Sequence, residues 1–126
     1  MIEVVAGIIY NNENKFLVAQ RNLKKDQGGL WEFPGGKIEV NESREHALIR
    51  ELQEELDITV EVNKYVGEKT FEYPDKSINL IAFECKIISG EVKLEEHEDS
   101  KWVRIEELKN FKFSPADEFI VEILEK

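Results

Sequence analysis

Glu51, Glu54 and Glu55 lie within the run RELQEELDI, Arg50 to Ile58, a short way after Pro34-Gly35-Gly36. On a helix each residue advances by roughly 100 degrees, so Glu54 and Glu55 fall about 60 degrees to one side of Glu51 and about 40 degrees to the other. Three carboxylates on one face repel one another by a few tenths of a kcal/mol per pair. Arg50, four residues before Glu54, offsets only part of that. Such a face is either ordinary solvated surface or a set of ligands for something positive. A Pro-Gly-Gly turn just upstream is expected to expose carbonyl oxygens, and carboxylate plus backbone oxygen is a shell suited to Mg2+ or Mn2+. Magnesium in turn shares its remaining positions with water and substrate phosphates.

The elements that must position these groups are legible along the chain. IEVVAGIIY and FLVAQR read as two strands of a hairpin joined by the turn NNENK, NLKKDQGG as a loop, and LWEF as a short apolar segment running into a sharp turn at Pro34-Gly35-Gly36. Glu42 to Leu56 contains neither Gly nor Pro, and Leu48, Leu52 and Leu56 recur every fourth residue, which predicts an amphipathic helix capped by Ser43. ITVEVNKYVGEKTFEY and SINLIAFECKII read as long strands joined at PDK, and KWVRI as a further short one. Pro115 opens a second helix with Ala116, Phe119, Ile120, Ile123 and Leu124 on its apolar face. Strands, helix, strands, helix, without an internal repeat, predict an α+β fold, an α/β/α sandwich whose mixed sheet is packed between helices.

The 126 residues are expected to form a single domain, 1–126. Acidic residues outnumber basic ones 27 to 17, a formal charge of -10. That long-range field excludes a duplex nucleic-acid binder that works by neutralising phosphates, although bound divalent cations can reverse the local sign for a small phosphorylated substrate. The one cysteine, Cys85, stands in an apolar run and reads as a buried strand residue. The N-terminus has no basic region followed by a long apolar core, and no apolar stretch approaches about 20 residues, so no membrane association and a reducing cytoplasm are expected.

From Gly36 the sequence runs five residues to Glu42, seven more to Arg50, then Glu51-Leu52-Gln53-Glu54-Glu55-Leu56-Asp57-Ile58. This resembles the Nudix box, G-x5-E-x7-R-E-U-x-E-E-x-G-U with U a bulky aliphatic residue, and departs from it only at Asp57, where the box has Gly. That position lies just past the helix end, where a left-handed backbone is common and Asp tolerates it better than most residues. VVAGIIYNNENKFLVAQR, LWEFPGGKIE, EYPDKSINL and SPADEFIVEIL also resemble segments of MutT-type and CTP-pyrophosphohydrolase-type Nudix enzymes, so the likeness covers nearly the whole chain.

The resemblance implies a Nudix fold and Mg2+-dependent hydrolysis of nucleoside triphosphates to monophosphate and pyrophosphate, on oxidised or modified dNTPs such as 8-oxo-dGTP. CTP, dCTP or 5-methyl-dCTP is the alternative substrate, and a non-catalytic nucleotide-binding module the alternative of another class. It implies metal ligands at Gly35, Glu51, Glu54, Glu55 and Glu96, with Glu98 in reserve for Glu96, and catalytic roles for Arg50, Glu51, Glu54 and Glu96. Arg50 would hold a glutamate in place, and Glu51 would serve to orient or deprotonate water; Glu42 would support from behind. Substrate contacts are implied for Arg21, Lys37, Tyr73 and Asp117, with Lys76 and Trp31 as further candidates. Asp117 stands where MutT-type enzymes place an amide against an oxidised guanine; ionised, it only accepts hydrogen bonds, which suits a cytosine amino group or the N–H groups of a purine and repels a carbonyl. His46 and His97 are expected at the surface, because a carboxylate-metal mechanism requires no imidazole. The partner is a small nucleotide, and the assembly a monomer or homodimer.

Overall fold

The structure is a computed structural model that describes all 126 residues. Its β-branched runs become strands: β1 (Ile2–Tyr10), β2 (Phe16–Gln20), β3 (Trp31–Glu32), β4 (Gly35–Lys37), β5 (Thr59–Tyr73), β6 (Lys76–Ser89) and β7 (Asp99–Val103). Helix α1 (Arg44–Leu56) separates β4 from β5; a 3-10 turn (Ile105–Asn110) and helix α2 (Glu118–Leu124) close the chain. The seven strands form one sheet whose main path runs β3-β2-β1-β6-β5, with β4 added to β1 and β7 to β2. β1 runs parallel to β6 along its whole length, while its pairings with β2 and β4 are antiparallel, so the sheet is mixed.

Alternation along the central strands divides the core between the two sheet faces. Val5, Ile9, Leu17, Ile81 and Phe83 meet Ala47, Leu48, Leu52 and Leu56 of α1. Ala6, Ile8, Phe16, Val18, Leu80 and Ala82 meet Leu108 of the 3-10 turn and Ile120 and Val121 of α2. The expected layering of helices on both faces is what the structure has, and Cys85 is buried as expected.

The local signals for α1 were sound at both ends. Ser43 Oγ accepts from His46 N at 3.1 Å. Asp57 adopts φ 56° and ψ 38°, the left-handed conformation the box glycine would take, and its N–H bonds Gln53 O. Gln53 Nε2 steadies the Asp57 side chain at 3.0 Å.

Three local expectations change. Pro34-Gly35-Gly36 does not turn sharply: Gly35–Lys37 is a short strand on β1, and neither glycine has a positive φ. Gly35 is there for close approach, since a Cβ on it would overlap Val5 O. Helix α2 starts at Glu118, not at Pro115, because the Asp117 side chain turns inward to bond Phe33 N and Ser114 Oγ. Ile105–Asn110, too polar to signal itself, winds into a 3-10 turn.

Candidate active site

β1 pairs with β2 only at Tyr10–Phe16, and further along the same edge it takes β4 instead. Where the two neighbours of β1 part, a cleft of about 270 Å³ opens. Val4, Val5 and Ala6 of β1 and Leu80 of β6 line its inner side; Gly35, Gly36 and Lys37 of β4, Glu55 of α1, and Arg21, Glu32, Glu96, His97 and Asp117 complete the walls.

α1 brings the box carboxylates to this cleft at different depths. Glu55 faces inward beside Leu52 and Leu56, and its Oε1 is buried with no hydrogen-bond partner. Burial pushes its carboxyl up to about 7, opposed by His97 and reinforced by Glu51 and Glu32. Glu51 lies over Gly36, in the space a Cβ would fill. Burial raises its carboxyl above the usual range against the hydrogen bond from Arg50. Glu54 is outermost, 60% exposed, and does not line the cleft; it shares Arg50 Nη1 with Glu51, at 3.2 and 2.9 Å. Arg50 also holds Glu42 through Nε and Nη2 at 2.7 and 3.0 Å and bonds Lys37 O at 3.1 Å. One guanidinium thus ties Glu42, in the loop before α1, to the carboxylates on the helix.

Gly36→Ala is therefore expected to displace the Glu51 carboxylate, the flexible end of a side chain, and to lower turnover by about 10- to 100-fold, as disturbing the support of a metal ligand does. The melting temperature should stay near that of the parent. Gly35→Ala sets its methyl against backbone and should unfold the protein more easily. Paired melting curves and kcat values separate the two.

The opposite wall was only partly foreseen. Arg21 Nη1 bonds Glu32 Oε1 at 2.9 Å and its Nε bonds Asp26 O at 3.0 Å. Glu32 Oε2 in turn meets His97 Nε2 at 2.8 Å. Burial works against the Glu32 carboxylate, but hydrogen bonds from His97 and Arg21 win and hold it below its ordinary value. His97 is not a surface residue: its side chain is 5% exposed, because Glu32 draws it inward from the acidic segment before β7. His46 is at the surface as expected, 71% exposed. Glu96 stands at the cleft mouth paired to Lys25 at 2.6 Å, and that hydrogen bond holds its carboxyl low. Asp117, on the side of α2, is buried at the cleft floor. Its Oδ1 accepts from Phe33 N at 3.0 Å and its Oδ2 from Ser114 Oγ at 2.5 Å, while burial pushes its carboxyl up to about 7.

The cleft thus collects Arg21, Gly35, Lys37, Glu55, Glu96 and Asp117, with Glu51 on its rim at Gly36. Tyr73 and Lys76 pair at the β5–β6 turn and do not line it. Trp31 is core, its ring edge-on to Phe111 at 4.9 Å. Sequence reading missed Glu32, His97 and Lys25. Alternation was the available signal for Glu32, since its neighbours Trp31 and Phe33 both point into the core. No pattern marked His97 or Lys25.

The donor set fits a hard divalent cation. Glu55 offers a partnerless oxygen, Glu51 lies close over a glycine, and the approach is lined by backbone. No three His, Cys, Asp or Glu side chains converge into a ready-made metal cage. No helix is long and apolar enough to cross a membrane.

Comparison with known proteins gives this site its context. The NUDIX domain model matches residues 2–123. The CTP pyrophosphohydrolase of Escherichia coli (strain K12) is 44% identical over 117 residues, 93% of this chain and 86% of that protein. The 8-oxo-dGTP diphosphatase of the same organism is 32% identical over 125 residues, 99% of this chain and 97% of that protein. The solution structure of the E. coli ORF135 protein superposes with a TM-score of 0.83 at 42% identity, covering 99% of this chain and 86% of that one.

Proposed function

Because this chain belongs to the NUDIX domain family of hydrolases, we propose that its cleft cuts nucleoside triphosphates to nucleoside monophosphate and pyrophosphate with the help of Mg2+, or Mn2+ in its place. The observation that carries this reading is the buried, partnerless oxygen of Glu55 in a cleft that also holds Arg21, Lys37 and Asp117. A module that only bound nucleotides would have no use for a carboxyl buried at such cost.

A divalent cation, when bound, cancels phosphate charge, holds water in line and stabilises the leaving pyrophosphate. Glu55 and Glu51 would hold it, and Glu54, Glu96 and the Gly35 carbonyl would complete the donor set. Glu98 has no part in this reading. Arg50 fixes Glu51, whose carboxyl, held above the usual range by burial, suits it to take a proton from the attacking water. Lys37 and Arg21 face the phosphates as cations. The protein would work on the free nucleotide pool in the cytoplasm, as a single domain and as a monomer or homodimer.

We assign the base to Asp117. Modified dNTPs such as 8-oxo-dGTP are the first reading. CTP, dCTP or 5-methyl-dCTP is the second, favoured by the 44% identity to the CTP pyrophosphohydrolase. The Asp117 carboxyl, pushed up to about 7 by burial, makes the choice depend on pH. Below that value it is protonated and donates to a base carbonyl such as guanine O6; above it, it only accepts and suits the cytosine amino group. The ratio of CTP to 8-oxo-dGTP hydrolysis is therefore expected to rise between pH 6 and pH 8, and Asp117→Asn to flatten it. Rates for a panel of normal and modified triphosphates at several pH values test this. A ratio that rises equally in the variant would remove Asp117 from base selection.

A further inference from the structure

Only two buried side-chain polar atoms of the chain lack a hydrogen-bond partner, Glu55 Oε1 and His97 Nδ1. Both residues line the same cleft, one from α1 and one from the segment before β7. Buried polar groups are partnered as a rule, so two orphans in one cavity call for a shared explanation.

The hydrogen bonding around His97 specifies what its free nitrogen offers. Nε2 lies 2.8 Å from Glu32 Oε2, and an ionised carboxylate only accepts, so Nε2 carries the hydrogen. In the neutral ring Nδ1 then holds the bare lone pair, a tautomer fixed by the partner on the other side. Glu32 is itself fixed by Arg21 at 2.9 Å, and Arg21 by Asp26 O at 3.0 Å. A histidine that ligates a metal nearly always donates its other ring N–H to a carboxylate in this way. Glu55 and His97 line the same cleft from opposite walls.

We propose that His97 is a nitrogen ligand, through Nδ1, of the same divalent cation that Glu55 holds, with Glu32 orienting the ring from behind. The proposal rests on reading the cleft as a cation site. With one imidazole beside the carboxylate, the site prefers Mn2+ or Co2+ over Mg2+, since imidazole suits first-row transition metals and Mg2+ takes oxygen. His97 and Glu55 are two protein ligands, and phosphate oxygens and water supply the remaining positions.

The chain has two histidines, which makes the test direct. In a 15N-histidine NMR spectrum, added Zn2+ is expected to move the His97 Nδ1 resonance and leave exposed His46 in place. In parallel, free Mn2+ measured by EPR gives the affinity of the parent, His97→Gln and Glu55→Gln, each checked by melting. Gln at 97 can keep a donor toward Glu32 while removing Nδ1. Its Mn2+ affinity is expected to fall by about 10- to 100-fold, and its Mg2+ affinity by less. If Glu55→Gln loses Mn2+ while His97→Gln keeps it and the Nδ1 resonance stays put, the proposal is overturned and the cation site stands, the two orphans then sharing a water. If neither variant loses Mn2+, the cation site and the proposal fall together. Should His97→Gln fail to fold, the spectrum of the parent decides alone.

Discussion

Glu55→Gln is expected to abolish pyrophosphate release, with turnover falling on the order of 10³-fold, while making the metal-free protein more stable. Both effects follow from one feature, a carboxylate in a buried place with one oxygen unpartnered. The carboxyl is raised from 4.5 to about 7 by burial. A carboxyl whose folded value lies above its unfolded one favours folding less as it ionises. The penalty is absent below about pH 4.5, grows as the pH rises toward 7, and is complete above it. A shift of that size corresponds to a penalty on the order of 3 kcal/mol at pH 8. The glutamine variant escapes it and should melt several degrees higher than the parent at pH 8, with the gap closing near pH 5. Added Mg2+ should raise the melting temperature of the parent and leave the variant unmoved. Melting curves across this pH range, with and without Mg2+, check all three statements. Equal melting of the two proteins at every pH would remove the idea that function stores instability at Glu55.

Arg50→Met carries the second large effect. Arg50 satisfies Glu42 with two bonds, shares Nη1 between Glu51 and Glu54, and reaches Lys37 O. Its removal leaves Glu42 and Glu51, 9% and 16% exposed, without their cation. Turnover should fall about 10- to 100-fold through misplacement of Glu51, and the melting temperature should fall with it. Arg50→Lys should rescue little, because a single ammonium cannot make the forked contact to Glu42. The readout specific to positioning is Mg2+ dependence: in Arg50→Met, saturating Mg2+ should recover part of the rate as the cation draws Glu51 back. Full activity in Arg50→Lys would show that charge alone is needed at this place.

Much of the fold was legible because it rests on short-range rules. The fourth-residue recurrence of Leu48, Leu52 and Leu56 and the cap at Ser43 fixed α1, and the alternating faces of β1 and β6 followed from their apolar runs. β4 was hidden because its glycines serve close packing on Val5, and nothing in a Gly-Gly pair separates a tight approach from a turn. The start of α2 was misread because Pro115 is a strong start signal, while Asp117 is claimed by Phe33, 84 residues away in sequence. The same divide runs through the site. Glu51, Glu54 and Glu55 announced themselves by spacing on one helix. Glu32, His97 and Lys25 meet only because β2, β3 and the segment before β7 are brought side by side. His97 in particular sat in a polar run and carried no sign of burial.

The central claim is that the carboxylates of α1 hold a divalent cation in the cleft for cleavage of a nucleoside triphosphate. Phosphorus NMR of CTP and 8-oxo-dGTP incubated with the protein tests it most directly, first with Mg2+ and then after chelator is added. The expected result is appearance of nucleoside monophosphate and pyrophosphate in equal amounts, halted by the chelator. Hydrolysis that continues in the chelator, or products that are nucleoside diphosphate and inorganic phosphate, would contradict it.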